Sequence, residues 1–198
     1  MGLNLDNIDG QTPLDEDEKD DLLIPTIATR GELDEFEQQN IEQAVLWSLN
    51  RTFKAEAVFT EDFIRGLHKR MYNSVWAWAG EFRKSNKNMG VDKWQIPTEL
   101  RTLLDDTKFW YANNTHSPDE TTIRFKHRLV SIHCFANGNG RHSRLMADIV
   151  IEKIFKMPHY TWGAANLVNQ GDTRSAYLHA IKAADKGDIQ PLINFARS

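Results

Sequence analysis

Two glycines and two arginines follow a histidine within the twelve residues from His133 to Arg144, which read HCFANGNGRHSR. An imidazole can act as a general base near neutral pH, and glycines let successive backbone N–H groups converge on an anion. Arg141 and Arg144 are three residues apart, so on a helix they would lie on neighbouring surface and grip different phosphates through forked hydrogen bonds. The stretch therefore predicts a site that holds phosphates beside a base.

Helices are predicted on both sides of this stretch. Ser117 is an N-cap residue followed by proline, which marks a helix start. Apolar residues at Phe125, Leu129 and Ile132 recur at spacings of four and three, so this helix should place His133 at its last turn. A second helix should follow the glycines, and its free N–H groups favour phosphate.

Each part alone has a plainer interpretation. A histidine after an apolar stripe is often a satisfied core residue, the Asn-Gly-Asn-Gly run is usually a turn, and Arg144 is able to pair with Asp148 at i+4. Cys134 beside His133 also allows a cysteine-hydrolase interpretation, although a buried small thiol is the commoner case. The combination at this spacing favours phosphate binding.

The stretch resembles the Fic-domain signature H-x-F-x-(D/E)-G-N-G-R-x-x-R at every fixed position except the acidic one, where this chain has Asn137. The run from Trp78 to Arg83 resembles the W-A-G-x-x-R stretch that precedes the motif helices in Fic proteins. The resemblance covers most of residues 30–198. With Asn137 before the glycines and the helix start at 29–32, the chain is most similar to the bacterial subgroup called mobile mystery protein B.

This resemblance implies an all-α fold with a short β-hairpin flap. It also implies a protein adenylyltransferase that transfers AMP from ATP to a hydroxyl side chain of a target protein, with Mg²⁺ as cofactor. By motif position, His133 would be the general base and Phe135 would anchor the loop in the core. The nucleotide would be bound by the remaining motif residues, which are Asn137, Gly138, Asn139, Gly140, Arg141 and Arg144.

Asn137 departs from the Fic signature at the position whose carboxylate binds Mg²⁺ in the family. The family's carboxylate binds Mg²⁺, whereas an amide oxygen ligates it without contributing charge, so the ion would depend more on substrate phosphates and water. We expect weaker metal binding rather than none. The alternative function is a catalytically weak or inactive Fic-fold module that binds a nucleotide or a partner. Gly140 disfavours a related Fic reaction, target phosphorylation, which is found where lysine replaces this glycine.

Turn-forming residues followed by extended-chain types predict a short β-hairpin between Lys84 and Pro97. In Fic proteins this place holds a flap whose edge pairs with a backbone segment of the target. A structural hairpin or an irregular loop is the alternative. The expected docking flap consists of Lys87, Asn88, Met89, Gly90 and Val91.

The other segments are predicted to be helical. A long amphipathic helix should run from Thr29 to about Asn50, and Thr60 should cap another; both are expected to be scaffold without chemistry of their own. Asp172 should cap a helix that follows a polar stretch, and a last helix should span 189–196. The apolar positions of the first helix are Leu33, Phe36, Ile41, Ala44, Val45 and Leu49.

The 198 residues, 40% of them hydrophobic, suit one domain with a real core. We expect an acidic arm over residues 1–28 and the Fic domain over 29–198. Thr12-Pro13 is a candidate start for a short helix in the arm. Many Fic proteins place an inhibitory glutamate on the second motif arginine, and Glu16 of the arm is a candidate for that contact with Arg144.

A net charge of −4 and a pI near 6.0 argue against general nucleic-acid binding. A single cysteine, no long apolar run and no basic hydrophobic start predict a cytoplasmic protein without a membrane span. Members of the resembled subgroup usually sit beside a gene for a small helix-turn-helix protein. Besides the target protein, a partner of that kind is therefore expected.

Overall fold

Helices account for the regular structure in the computed structural model, which describes residues 14–163 and 170–198. The chain also has a π-helical turn at Val150–Ile154 and a 3₁₀ turn at Lys93–Gln95. In the described ranges the extended pairing is one antiparallel bridge between Leu22 and Trp76, so the predicted all-α class is confirmed. The α-helices are α1 Glu16–Asp20, α2 Arg30–Leu49, α3 Ala55–Val58, α4 Glu61–Tyr72, α5 Ile96–Asn113, α6 Pro118–Ile132, α7 Asn139–Ile149, α8 Gln170–Asp185 and α9 Gln190–Arg197.

Side-chain caps start the helices where the sequence predicted them. Thr29 accepts a hydrogen bond from the backbone N–H of Glu32, whose carboxylate in turn accepts from the N–H of Thr29 at 2.9 Å. Thr60 caps α4, and Ser117 caps α6. Helix α8 begins at Gln170, so the expected cap at Asp172 is wrong. The expected helix start at 12–13 and most of the polar stretch before α8 lie outside the described residues.

Helices α6 and α7 contribute side chains to two hydrophobic clusters. In one cluster Phe125 of α6 and Met146 of α7 pack with residues of α2, α4 and α5. In the other, Ile123 of α6 and Ala147 of α7 pack with residues of α8 and α9. Because both helices are buried on two sides, the loop that joins them is held at both ends by close packing.

The buried face of α2 differs from the predicted stripe. Phe36 is 40% exposed, whereas Glu37 is only 3% exposed, and Asn40 is buried beside it. Asn40 donates from Nδ2 to the carbonyl of Arg70 and accepts from the N–H of Ser74, both at 2.9 Å. Buried polar groups are satisfied in this way, so two polar positions take the place expected for apolar ones.

The predicted β-hairpin between residues 84 and 97 is wrong. The segment is an irregular loop because side chains, not a facing strand, bind its backbone groups. The guanidinium of Arg83 donates to the carbonyls of Ser85 and Val91, and the side chain of Asn86 accepts from the N–H of Lys93 at 2.8 Å. Asp92 caps the 3₁₀ turn that follows.

The described part of the acidic arm packs along the segment that follows α4. Leu23 donates from its N–H to the carbonyl of Val75, and Ala77 donates to the carbonyl of Asp21, both at 2.9 Å. Glu16 is exposed and pairs with Lys19 at 2.7 Å, so the suggested contact with Arg144 is not made. The division at residues 28 and 29 stays a prediction. Within the described residues, no helix combines the length and the apolarity needed to cross a bilayer.

Candidate active site

His133 ends helix α6 in a left-handed backbone conformation, with φ 58° and ψ 61°. This conformation costs a non-glycine residue on the order of 1 kcal/mol, so its surroundings must hold it there. Arg83 supplies that hold: its Nε donates to the carbonyl of His133 at 2.7 Å, and its backbone N–H donates to the carbonyl of Cys134 at 2.9 Å. Gly90 covers the histidine, since a Cβ built on Gly90 would lie 2.6 Å from the His133 Cβ.

His133 is only 5% exposed, and this burial sets its protonation state. Burial, aided by the positive charges of Arg83 and Lys87, lowers the pKa of His133 to about 4, although a hydrogen bond to the backbone of Val130 opposes this. The imidazole is therefore neutral near pH 7 and able to accept a proton.

Phe135 and Asn139 fasten the loop between α6 and α7. Phe135 is fully buried, and its ring stacks on that of His68 with centroids 3.7 Å apart. The side chain of Asn139 binds the backbone of Phe135 twice, accepting from its N–H at 3.0 Å and donating to its carbonyl at 2.8 Å. The side chain of Asn139 is thus engaged inside the loop, and its backbone remains for an anion.

The two motif glycines have different roles. Gly138 has φ 76°, and a Cβ there would lie 2.5 Å from the Tyr72 hydroxyl and ring, so no larger residue fits. Gly140 lies in α7 with a helical backbone, and a Cβ there would meet nothing within 4 Å. The expectation that both glycines supply backbone freedom holds for Gly138 and is wrong for Gly140.

Arg141 is paired with a buried carboxylate from α2. Its Nη2 lies 2.6 Å from Oε2 of Glu37, while the other oxygen of Glu37 accepts a hydrogen bond from Nε1 of Trp76 at 2.7 Å. The guanidinium also lies 5.3 Å from the centre of the Tyr72 ring. The first motif arginine therefore enters the site with its charge largely balanced.

Arg144 has different neighbours. Its guanidinium lies 4.8 Å from the centre of the Tyr177 ring, and its Nε is buried without a hydrogen-bond partner. Asp148, a possible i+4 partner, instead accepts hydrogen bonds from Nε1 of Trp162 at 3.1 Å and from the N–H of Tyr160. Burial raises the pKa of Asp148 to about 6. In the described ranges, no carboxylate lies within 4 Å of the Arg144 guanidinium.

His68 of α4 joins the motif loop to the segment before the flap. Its Nδ1 accepts from the N–H of Gly80 at 3.0 Å, which leaves the proton on Nε2, and Nε2 lies 3.1 Å from the carbonyl of Asn137. Burial, with the positive field of Arg141, lowers the pKa of His68 well below its usual value. A neutral imidazole with a fixed tautomer thus binds the backbone of the motif loop at Asn137.

The cysteine-hydrolase alternative does not fit the geometry. Cys134 is buried, and burial raises the pKa of its thiol to about 12. Since the thiolate is the nucleophile, such a thiol is inert. Cys134 is a small core residue.

Residues 58–151, which include the loop and both helices around it, match the Fic/DOC family. The match spans His68, Arg83, His133 and the two arginines. This part of the chain is therefore similar to the Fic/DOC family.

Relatives named protein adenylyltransferase Fic are similar in sequence. The protein of Drosophila virilis is 28% identical over 152 residues, which are 74% of this chain and 30% of that protein. The protein of Drosophila sechellia is 30% identical over 134 residues, which are 65% of this chain and 25% of that protein. This chain thus spans less than a third of the length of these curated relatives.

Solved structures share the fold. The BepC protein of Bartonella tribocorum, a VirB-translocated effector crystallised with AMPPNP, has a TM-score of 0.66 at 18% identity, with 92% of this chain and 97% of that chain covered. Fic-1 of C. elegans has a TM-score of 0.64 at 20% identity, with 89% and 50% covered. At these identities the similarity establishes the fold alone.

Three residues of the candidate site are not predictable from the sequence, in whole or in part. Arg83 is part of a recognisable motif, but the sequence does not show that its guanidinium hydrogen-bonds the carbonyl of His133. Glu37 and His68 lie on helices expected to be scaffold. The available signal was a polar residue on the buried side of each helix, since His68 lies four residues after Ile64 and Glu37 four after Leu33.

The predicted docking flap is only partly available at the surface. Asn88, Met89 and Gly90 are exposed. The side chain of Lys87 is 2% exposed because Asp15 and Glu18 of the arm bind its ammonium at 2.9 and 2.5 Å. Lys87 therefore fastens the arm to the flap.

Proposed function

We propose that this chain is a protein adenylyltransferase of the Fic/DOC family that transfers AMP from ATP to a hydroxyl side chain of a target protein. The names of the relatives support this activity. The observation that carries it is the short loop that joins a buried neutral histidine, at the end of α6, to the N-terminus of α7 with two arginines.

The chemistry follows from these groups. The target hydroxyl oxygen attacks the α-phosphorus of ATP, the bond to the β-phosphate oxygen breaks, and pyrophosphate leaves. His133 takes the hydroxyl proton, which a neutral imidazole does as a general base. Charge that develops on the phosphate oxygens is stabilised by fixed donors rather than by water.

The phosphate donors belong to the start of α7. Asn139 and Gly140 offer backbone N–H groups at a helix N-terminus, where an anion is favoured, whereas the N–H of Gly138 donates to Oδ1 of Asn137. Arg141 and Arg144 would contact the outer phosphates. Their different partners give them different strengths, because Glu37 balances the charge of Arg141.

Mg²⁺ fits this site through Asn137 and the substrate. Oδ1 of Asn137, which accepts a hydrogen bond from the N–H of Gly138 at 2.6 Å, is an amide oxygen of the kind that ligates Mg²⁺. Elsewhere in the described residues no group of three His, Cys, Asp or Glu side chains is arranged to hold an ion. The ion would neutralise phosphate charge, while Asn137 would act as its weak side-chain ligand.

The target segment would dock on the exposed part of the flap, at Asn88, Met89 and Gly90, and reach His133 beneath Gly90. Val91 donates its N–H to the carbonyl of Ile132, so that backbone group is already used. We further propose a bacterial, cytoplasmic protein with a small helix-turn-helix protein as partner, and no direct binding of nucleic acid.

A second candidate is a non-catalytic nucleotide-binding or partner-binding module. The engaged amide of Asn137, where the family has a carboxylate, favours it. The two candidates differ in turnover rather than in nucleotide binding.

Incubation of the purified chain with α-labelled ATP, Mg²⁺ and a bacterial lysate, alongside His133→Ala, tests the proposal. We expect label on the chain or on a lysate protein with the wild type and none with the variant. Absence of label, with ATP binding still measured by calorimetry, would support the non-catalytic module. Absence of both would reject nucleotide chemistry at this site.

A further inference from the structure

Two basic side chains, those of Lys126 and Arg144, meet at Tyr177. Lys126 of α6 is completely buried, and its Nζ donates to the Tyr177 hydroxyl at 2.5 Å. The guanidinium of Arg144 of α7 lies over the Tyr177 ring, 4.8 Å from its centre. Tyr177 of α8 thus connects the second motif arginine to a lysine that no part of the proposed chemistry uses.

The cluster has little opposing charge. In the described part of the chain, neither Lys126 nor Arg144 has a carboxylate at ion-pair distance. Their other close neighbours are aromatic, since Nζ of Lys126 lies 4.5 Å from the centre of the Tyr177 ring and 5.9 Å from that of Trp162. Aromatic faces attract a cation without cancelling its charge.

The surroundings of Lys126 disfavour a charge on its amine. Burial, together with the charge of Arg144, lowers the pKa of Lys126 well below its usual value. The amine donates a hydrogen bond to Tyr177 in either protonation state. The cluster therefore fixes the position of the guanidinium and leaves its positive charge available.

Arg141 shows the contrasting arrangement. Its charge is balanced by Glu37 at 2.6 Å, so a phosphate near Arg141 meets a nearly neutral pair. A phosphate near Arg144 meets a guanidinium that has no carboxylate within 4 Å among the described residues and whose Nε has no hydrogen-bond partner. Electrostatic attraction to the outer phosphates should therefore depend mainly on Arg144.

We propose that Lys126 and Tyr177 are positioning residues that hold Arg144 for the outer phosphates of a nucleoside triphosphate. Lys126 fixes Tyr177 by a hydrogen bond to its hydroxyl, and the ring face of Tyr177 holds the guanidinium of Arg144. This inference rests on the proposed function, because it assumes that the nucleotide binds at the motif loop. Lys126 of α6 precedes His133, the residue that follows the last turn of this helix, by seven residues, about 10 Å along the helix axis. One helix thus carries both the base and the support of the phosphate-binding arginine.

Calorimetric titration with ATP and with AMP tests the inference. In a His133→Ala background, which prevents turnover, Tyr177→Phe and Lys126→Met should each weaken ATP binding about tenfold, as expected for a lost hydrogen bond to a charged site. AMP lacks the outer phosphates, so its affinity should not change. The double variant should bind ATP no more weakly than the single variant with the lower affinity, because both residues act through Arg144.

Tyr160→Phe is the matched control. Tyr160 also has a bonded hydroxyl, which donates to Asp119 at 2.9 Å, and it also lies under an arginine, Arg197, at 4.3 Å. Its arginine is outside the motif, so ATP and AMP affinities should stay as in the parent.

Other outcomes reject specific statements. Equal weakening of ATP and AMP binding by Tyr177→Phe, or additive effects in the double variant, would show a general structural role and overturn the inference alone. A parent that binds neither nucleotide would overturn the inference together with the proposed function. Transfer of label by the wild type, measured separately, reports only on the proposed function.

Discussion

The carboxylate of Glu37 lies 2.6 Å from the guanidinium of Arg141, and it joins helix α2 to the motif helix α7 across 104 residues of sequence. Its second oxygen accepts a hydrogen bond from Nε1 of Trp76 at 2.7 Å. The side chain of Glu37 is buried, whereas that of Arg141 is partly exposed. A helix expected to be scaffold thus supplies the charge partner of a residue in the site.

Glu37→Ala should destabilise the chain by about 3 kcal/mol, because it removes the acceptor of two hydrogen bonds and leaves a partly buried cation unpaired. Glu35→Ala, on the exposed side of the same helix, should change the free energy of unfolding by less than about 0.5 kcal/mol. Urea denaturation measures both. Equal midpoints for the two variants would show that the pair contributes nothing to folding.

Capping residues and the spacing of glycine and arginine made the helices and the motif loop predictable. Thr29, Thr60 and Ser117 start helices in the structure as in the sequence, because a side chain and its own helix settle that choice locally. Glu37 and His68 were not predictable in the same way. Their partners lie 104 and 69 residues away, and a polar side chain on the buried side of a helix indicates a partner without identifying it.

The flap illustrates a different limit. Its turn-forming residues were recognised, but they do not specify whether backbone groups pair with a strand or with side chains. Arg83 decides the outcome, since its guanidinium binds three carbonyls at once, including that of His133. The left-handed backbone of His133 also depends on this contact, so neither feature was visible before the fold was known.

The rate of transfer should not fall as the pH decreases through about 6.5, where an exposed histidine titrates. His133 acts as a base only when neutral, and its pKa of about 4 keeps it neutral at every pH above that value. We expect kcat/KM to stay constant between pH 7.5 and about 5.5 and to fall only nearer pH 4. A profile of kcat/KM against pH measures this. A fall centred near pH 6.5 would mean that His133 is exposed in the working enzyme.

Stability should fall as the pH decreases from about 6.5 toward 4. Burial lowers the pKa of His133 and of His142 to about 4, so the unfolded chain binds more protons in this range, and each histidine contributes up to about 3 kcal/mol. Asp148 acts in the opposite direction, because its pKa is raised to about 6 and its contribution is lost as the pH rises. Asp148→Asn should therefore steepen the dependence, which urea midpoints at pH 5 and pH 7 would measure. An unchanged or shallower slope would contradict these assignments.

Asn137→Asp should lower the Mg²⁺ concentration needed for half-maximal transfer by about tenfold, since a carboxylate adds charge to an oxygen ligand. The maximal rate of an already active enzyme should change little. A large gain in rate at saturating Mg²⁺ would instead identify the natural chain as the inactive module. Gln43→Glu is a suitable control, because Gln43 is exposed on α2 and its change adds the same charge away from the motif loop. A similar shift with that variant would point to a general effect of charge.

The motif glycines provide a test of where the phosphates bind. Gly138→Ala should prevent stable folding, because its methyl group would lie 2.5 Å from the rigid ring of Tyr72 at a φ of 76°. Gly140→Ala meets no atom within 4 Å and improves helix propensity by up to about 1 kcal/mol, so its melting temperature should be equal or higher. The new methyl group would nevertheless stand at the start of α7, where the phosphates are proposed to approach, and ATP affinity should fall about tenfold. Thermal melts and calorimetry separate the two effects. Unchanged ATP binding by Gly140→Ala would move the phosphate site away from the N-terminus of α7.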